Sequence, residues 1–336
     1  MTNANQMTVQ QQSEYGAPET VLQAAQLEIP TPGEGQVLIR VRATSVNTPD
    51  WAIVSGIPRL LRLASGVFGP KRKVRGSDVA GVVEAIGPGV SGFAPGDAVY
   101  GSVWTGDAAG APHGTFAEYT LAPATQLAPL PKGLSFEQAA GAVMSGVTAL
   151  QALRDVAKVS AGQRVLINGA SGGVGLFAIQ IARALGATVT AVCSTRNLEL
   201  VRSFGAHHVI DYTQDDFTKR PERYDVVMDN VLNHAPSVTA QVLVDGGVLL
   251  PNSIGSGDWF GAIPTMLGVA LFGSKQWKAT TFKPSRENLE ALSTMLESGS
   301  VRVPIDSTYP LAQAGKAVAH MASHRARGKV VLSVQW

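Results

Sequence analysis

The chain has one cysteine, Cys193, in 336 residues. A single thiol excludes an internal disulfide framework and a structural zinc lobe, which needs several closely spaced cysteines. Cys193 ends the apolar run Thr188–Cys193, so an inert core thiol is expected. Charge is also scarce. Charged residues make up 15% of the chain and the formal net charge is +2, too little to point to a nucleic-acid partner. The uncharged run Trp259–Ser274 is too short to span a bilayer and contains Pro264. The start, Met1–Met7, is polar and lacks the apolar segment of a signal peptide, so a reducing, cytoplasmic setting is expected. Internal repeats and low-complexity tracts are absent. A hydrophobic content of 45% over this length allows two domains, each with a core.

Glycine is plentiful, and its placement carries the first positive signal. In Arg164-Val-Leu-Ile-Asn-Gly-Ala-Ser-Gly-Gly-Val-Gly175, a buried strand runs into a turn punctuated by Gly169, Gly172, Gly173 and Gly175. A helix then follows, apolar on one side from Leu176 to Leu185. Backbone N–H groups must approach a phosphate closely, and glycine permits that approach. The helix N-terminus adds partial positive charge. Strand before, helix after and a second strand on schedule make this a dinucleotide-binding turn rather than a plain connection. Gly172, Gly173 and Val174 are expected to contact the pyrophosphate. The second strand, Thr188–Cys193, ends in Ser194-Thr-Arg-Asn197, without the carboxylate that usually meets a ribose 2′-OH. Ser194 and Arg196 could hold a 2′-phosphate, which favours NADP(H) over NAD(H). The alternative for Arg196 is a solvated residue at a helix start.

Residues from about Thr8 to Leu130 show short strand-like runs broken by Gly and Pro, including Val37–Ala43, Val79–Ile86, Ala98–Tyr100 and Phe116–Leu121. From about Ser135 to Phe282 strands alternate with helices. Expected strands are Arg164–Asn168, Thr188–Cys193, His208–Asp211, Tyr224–Asp229 and Gly247–Leu250, with a sixth near Ala279–Phe282. This is the pattern of a doubly wound parallel sheet, with the cofactor at the carboxyl ends. The tail returns to β character in Gly328–Val334, which needs a partner in the first β region. The fold class is therefore α/β, with the nucleotide domain inserted into a discontinuous β domain.

Several segments together resemble the medium-chain dehydrogenase/reductase superfamily, in its zinc-free quinone oxidoreductase (zeta-crystallin-like) branch. They are Ala43-Thr-Ser-Val-Asn-Thr-Pro-Asp-Trp51, Gly76-Ser-Asp-Val-Ala-Gly-Val-Val83, Pro95-Gly-Asp97, Gly114-Thr-Phe-Ala-Glu-Tyr119, Ala170–Gly175 and Ala326-Arg-Gly-Lys-Val-Val331. The resemblance covers nearly the whole chain in order. It implies a GroES-like β domain at 1–130 and 283–336, and a Rossmann NADP(H)-binding domain at 131–282 with the active site in the cleft. It also implies one NADPH per subunit and, commonly, a homodimer.

Zinc-dependent members of that superfamily use a Cys, a His–Glu pair and a further Cys or His. Here Asn47 stands near the first position and Ser77-Asp78 replaces the pair. No His or Cys lies between His113 and Cys193, so no metal is expected. Without a Lewis acid, simple alcohols are poor substrates. A quinone or α,β-unsaturated carbonyl already accepts hydride, and hydrogen bonds or water can meet the charge that develops on oxygen. Positioning would supply most of the catalysis.

The resemblance places Asn47 and Thr148 on the nicotinamide side, and Tyr212 near the adenosine phosphate. The plainer readings are a helix-turn hydroxyl for Thr148 and a surface loop residue for Tyr212. Asn230 could bond the nicotinamide ribose or amide, or simply end a strand. Asn252, within Pro251–Ile254, is expected to pass under the nicotinamide. Lys329 is read as an aid to the cofactor phosphate or, preferred, as a solvent-facing charge. Asp50 and Asp78 are read as structural. No general acid is identified, and water is expected to deliver the proton. Residues 57–75 form a solvated loop, a lid or a contact for anions such as lipid headgroups. Residues 259–277 form a helical subunit contact or a pocket wall, ahead of a membrane-surface patch. The leading function is NADPH-dependent reduction of a quinone or enone. The alternatives are an alkenal or enoyl reductase of detoxification or secondary metabolism and, in another class, a non-catalytic NADPH-binding sensor or scaffold.

Overall fold

The computed structural model describes residues 5–106, 111–253 and 275–335. The chain begins with a hairpin, β1 (Gln6–Gln11) and β2 (Gln23–Glu28), in antiparallel register. The main β strands follow: β3 (Gln36–Ser45), β4 (Asp78–Ile86), β5 (Ala98–Ser102), β6 (Tyr119–Pro123) and β7 (Leu127–Pro129). Strands β8 (Arg164–Asn168), β9 (Thr188–Cys193), β10 (His208–Asp211), β11 (Tyr224–Asp229), β12 (Leu243–Pro251) and β13 (Gln276–Trp277) come next. Strands β14 (Ile305–Pro310) and β15 (Lys329–Ser333) close the chain.

The chain forms two compact units. The first holds Met1–Val147, Lys283–Glu297 and Val303–Trp336; the second holds Thr148–Phe282 and Ser298–Arg302. In the first, one sheet runs β14-β15-β3-β4-β5-β7, with β6 also on β3. The tail strand does find its partner in the first β region, pairing Val331 with Ser45 and Leu332 with Thr44. Val37, Ile39 and Val41 alternate inward along β3 and pack with Val79, Val83, Val99 and Leu332, as one buried sheet face requires. Tyr100 is fully buried, and its hydroxyl donates to Leu289 O at 2.6 Å.

The second unit has a six-stranded sheet in the order β10-β9-β8-β11-β12-β13, with every neighbouring pair parallel. This doubly wound order follows from right-handed crossovers that return to alternate sides of β8. Leu166, Val192, Ile210, Val227 and Leu249 form one core cluster. The chain's return at Arg302 is held within this unit, where Gln180 Nε2 donates to Arg302 O at 3.0 Å and Gln180 Oε1 accepts from Arg302 N at 2.8 Å.

Two strand expectations change. The sixth strand is Gln276–Trp277, not 279–282. Thr280 is instead turned to Pro251 O by its hydroxyl, at 3.3 Å. The 116–121 run becomes a strand only from Tyr119, because Phe116 is committed elsewhere: its N–H donates to Arg75 O and its carbonyl accepts from Gln10 N, both at 2.8 Å. Among the described residues, no helix is long and apolar enough to cross a membrane.

Candidate active site

In the second unit, β8 delivers the chain into a tight turn. Gly169 has φ +70°, and a Cβ there would meet Val231 Cγ2 at 2.7 Å. A side chain on Gly175 would strike the Gly169 carbonyl oxygen and lie 2.7 Å from Ala170 Cα. A Cβ on Gly172 would meet only Gly169 O, at 3.5 Å. Gly175 thus packs the turn onto the helix Gly173–Ala184, and Gly172 leaves its outer side open. The first N–H groups of a helix have no intrahelical partner, so Gly172, Gly173 and Val174 border a cradle that fits a pyrophosphate.

Beside this turn lie the ends of β9 and β10. Ser194 precedes a short turn, Thr195–Asn197, on which Arg196 is exposed. Asn197 is buried, and its Nδ2 donates to Ser171 Oγ at 2.9 Å and Ser194 Oγ at 3.3 Å. It therefore ties the glycine turn to the end of β9, a role sequence reasoning missed. The absence of a carboxylate at the end of β9 is offset by the neighbouring strand. Register aligns Asp211 with Cys193, and Thr195 Oγ1 donates to Asp211 Oδ2 at 2.6 Å. Hydroxyls of Thr195 and Thr213 hold the Asp211 carboxyl below its ordinary range. Tyr212 follows, its side chain exposed. Cys193 is buried, and burial pushes its thiol up to about 11.

Across the ends of β8, β11 and β12 runs a ladder of amides. Asn168 Nδ2 donates to Asp229 Oδ1 and Asn233 Oδ1, each at 2.8 Å. Asn230 Nδ2 donates to Asn168 O at 2.9 Å, and Asn252 Nδ2 donates to Asn230 Oδ1 at 2.8 Å. Asn230 and Asn252 are thus brought together. Asn168 and Asp229, not singled out from sequence, anchor them. Thr148 is buried in the helix Phe136–Leu150.

The first unit contains a separate buried polar cluster. Asn47 precedes the helix Thr48–Ser55, and its N–H donates to Asp50 Oδ2 at 2.8 Å. Asp50 Oδ1 accepts from Gly76 N at 3.2 Å. Asp78 Oδ2 accepts from Ser45 Oγ at 2.6 Å, Asn47 Nδ2 at 2.8 Å and Met144 N at 3.3 Å. Both carboxylates therefore hold turns, as read. Lys329 corrects its reading as a solvent-facing charge. It is buried at 3% exposure, and its Nζ donates to Asn47 Oδ1 at 2.6 Å and Val46 O at 3.2 Å. The physical reason is charge: Asp78 and Asp50 attract the ammonium from within the unit. Burial disfavours ionisation throughout. It raises Asp50 to about 7, raises Asp78 and lowers Lys329, while the opposite charges resist each shift. All three donors on Asp78 reach Oδ2, and the buried Oδ1 has no hydrogen-bond partner among the described residues. A proton on Oδ1 would leave those three bonds intact.

Of the segment 259–277, residues 259–274 lie outside the described residues, as does Ile254. Trp277 stands in β13 and packs against the sheet core, not on a helix.

Residues 33–132 match the family described as an alcohol dehydrogenase GroES-like domain, and residues 204–332 match one described as a zinc-binding dehydrogenase. The chloroplast envelope quinone oxidoreductase homolog of Arabidopsis thaliana is 32% identical, over 96% of this chain and 97% of that one. The trans-enoyl reductase pgmF of Aspergillus terreus is 33% identical, over 90% and 87%. A solved NAD-dependent alcohol dehydrogenase superposes with a TM-score of 0.84 at 30% identity, covering 98% of this chain and all of that one. Strand order, glycine turn and these matches define a two-unit oxidoreductase that takes a nicotinamide cofactor. The chain belongs to the medium-chain dehydrogenase/reductase superfamily, in its quinone oxidoreductase branch.

Proposed function

We propose that the enzyme transfers a hydride from NADPH to a quinone or α,β-unsaturated carbonyl, without zinc. One observation carries the reading: Asn47, near the first ligand position of zinc-dependent members, and Asp78, of the pair that replaces their His–Glu, are hydrogen-bonded to Lys329 and Ser45 respectively, each at 2.6 Å, and to each other at 2.8 Å. An amide oxygen facing an ammonium is a poor metal ligand, and the buried Lys329 already supplies positive charge beside Asp78 where a cation would otherwise do so. Bound at the glycine turn, the reduced nicotinamide would supply the hydride. Gly172, Gly173 and Val174 would hold the pyrophosphate, with Ser194 and Arg196 on the 2′-phosphate and Tyr212 beside the adenosine phosphate. Asn230 and Asn252 would orient the nicotinamide ribose through the ladder anchored by Asn168. Thr148 and Asn47 would position the nicotinamide and acceptor, with Lys329 fixing which face of the Asn47 amide is offered. Water would return the proton to the reduced acceptor. The preference for a homodimer stands with this reading and is checked by sedimentation.

The Aspergillus relative supports a second reading, reduction of an enoyl C=C bond. Oxidation of reduced nicotinamide, followed by absorbance with ortho-quinones, enones, 2-alkenals and simple aldehydes, separates the two. NADH and a chelator are run in parallel. Chelator-insensitive turnover with NADPH preferred is expected. Chelator-sensitive turnover of simple aldehydes would overturn the zinc-free reading, and tight NADPH binding with no turnover would indicate a sensor or scaffold.

A further inference from the structure

We propose that residues 57–73 form a docking surface for an anionic lipid membrane. Nine large hydrophobic side chains are exposed among the described residues, and five of them fall here: Ile57, Leu60, Leu63, Val67 and Phe68. Phe68 is fully exposed at 103% and Leu63 is 66% exposed. Scattered exposed apolar residues need no explanation, but five within twelve positions do. Leu60 and Leu63 lie one helical turn apart at the helix Leu61–Ser65, and Val67 and Phe68 follow at its end.

The segment is a built excursion whose base is tied down. Tyr15 OH donates to Gly66 O at 2.7 Å and pairs with Ser65 Oγ at 2.8 Å. Arg62 turns inward, its Nε donating to Gly56 O at 3.1 Å and its guanidinium lying 4.7 Å from the Tyr15 ring centre. Lys71 N donates to Ser65 O at 2.8 Å, and Gln12 N donates to Lys73 O at 2.9 Å. These contacts hold the backbone while the apolar side chains remain outside.

Charge decides what covers them. Between Trp51 and Ser77 the chain has Arg59, Arg62, Lys71, Arg72, Lys73 and Arg75, and no Asp or Glu. Arg59, Lys71 and Lys73 are exposed beside the apolar residues. The adjoining Ser13–Tyr15 stretch contributes one acid, Glu14, which is also exposed. The chain as a whole carries only +2, so the positive charge is local to this excursion. Apolar side chains flanked by cations match the boundary of an anionic bilayer, where the first enter the acyl region and the second stay with the phosphates.

The test is cosedimentation of the full chain with phosphatidylcholine vesicles, with and without phosphatidylglycerol, across a salt series. The reading needs no turnover, so its failure is separable from that of the proposed activity. Binding to the anionic vesicles, weakened by salt, is expected. Lys71→Glu with Lys73→Glu should lower it on the order of tenfold or more, and Leu63→Ser with Phe68→Ser should do the same. Unfolding midpoints and turnover without vesicles should match the wild type, showing that the variants fold. No binding to anionic vesicles, or binding indifferent to both pairs, overturns the proposal. So does dissociation of a dimer by Leu63→Ser with Phe68→Ser, which would make a second copy the occupant. A rise in KM confined to long-tailed quinones would assign the face to substrate and overturn it as well.

Discussion

Replacing Lys329 with methionine keeps a side chain of similar length and removes its ammonium. That group donates to Asn47 Oδ1 at 2.6 Å and Val46 O at 3.2 Å, and it faces Asp78 and Asp50. Removing one partner of a buried charge cluster costs about 3–5 kcal/mol. Against a domain stability of about 5–15 kcal/mol, such a loss is large. It also depends on pH. The ammonium restrains the upward shift of both carboxyls, so both rise further in the variant. A carboxyl whose folded pKa exceeds its unfolded value loses stability as pH rises between the two. In the wild type, the Asp50 contribution is exhausted above about 7; in the variant it continues upward. Lys329, lowered by burial, adds to wild-type stability as pH rises. Both effects widen the gap between Lys329→Met and wild type as pH passes neutrality. Urea unfolding followed by tryptophan fluorescence at several pH values gives the gap directly. A double-mutant cycle with Asp78→Asn should show coupling of about 2 kcal/mol. A single-variant cost below about 1 kcal/mol at neutral pH, or additivity in the cycle, would refute the reasoning.

Asp50→Asn should flatten the loss of wild-type stability between about pH 4 and 7, read as the slope of the unfolding midpoint, because the folded carboxyl sits at about 7 against 3.8. Gly175→Ala places a Cβ against the Gly169 carbonyl oxygen; it should cost about 1–3 kcal/mol and weaken NADPH binding in a fluorescence titration. Asp211→Asn removes a charge bonded to Thr195 at 2.6 Å, and should raise the NADPH-to-NADH ratio of kcat/KM on the order of tenfold. Arg196→Ala should lower that ratio, and an unchanged ratio in both variants would move the 2′-phosphate elsewhere.

The parallel sheet was legible because its signals are local. Val165–Ile167 is a short apolar run, the turn after it needs glycine at Gly169 for its φ of +70°, and the next strand follows one helix later. The tail strand was legible because an apolar run at β15 requires a partner. Lys329 was not legible. A lysine in Gly328-Lys-Val-Val331 looks like a strand-end charge, and lysine is rarely buried without a partner. Its partner Asn47 is 282 positions away, and only the pairing of β15 with β3 brings the two together. The Phe116 run misled for a related reason. Its alternation suits a strand, but hydrogen bonds from two distant segments claim the backbone first.

The ends of β9 and β10 show how a reading along one strand leaves charge from its neighbour out of view. Ser194 and Arg196 stand just past the end of β9, and no acid stands with them. A parallel sheet, however, aligns the carboxyl ends of neighbouring strands. Asp211 therefore stands level with Cys193 and bonds the residue between Ser194 and Arg196. A bound 2′-phosphate would meet a cation and a hydroxyl from one strand end and feel a carboxylate from the next. Its hydrogen bonds keep that carboxylate ionised, so the repulsion persists to acidic pH. A motif read along β9 alone therefore leaves the charge at the adjacent strand end uncounted.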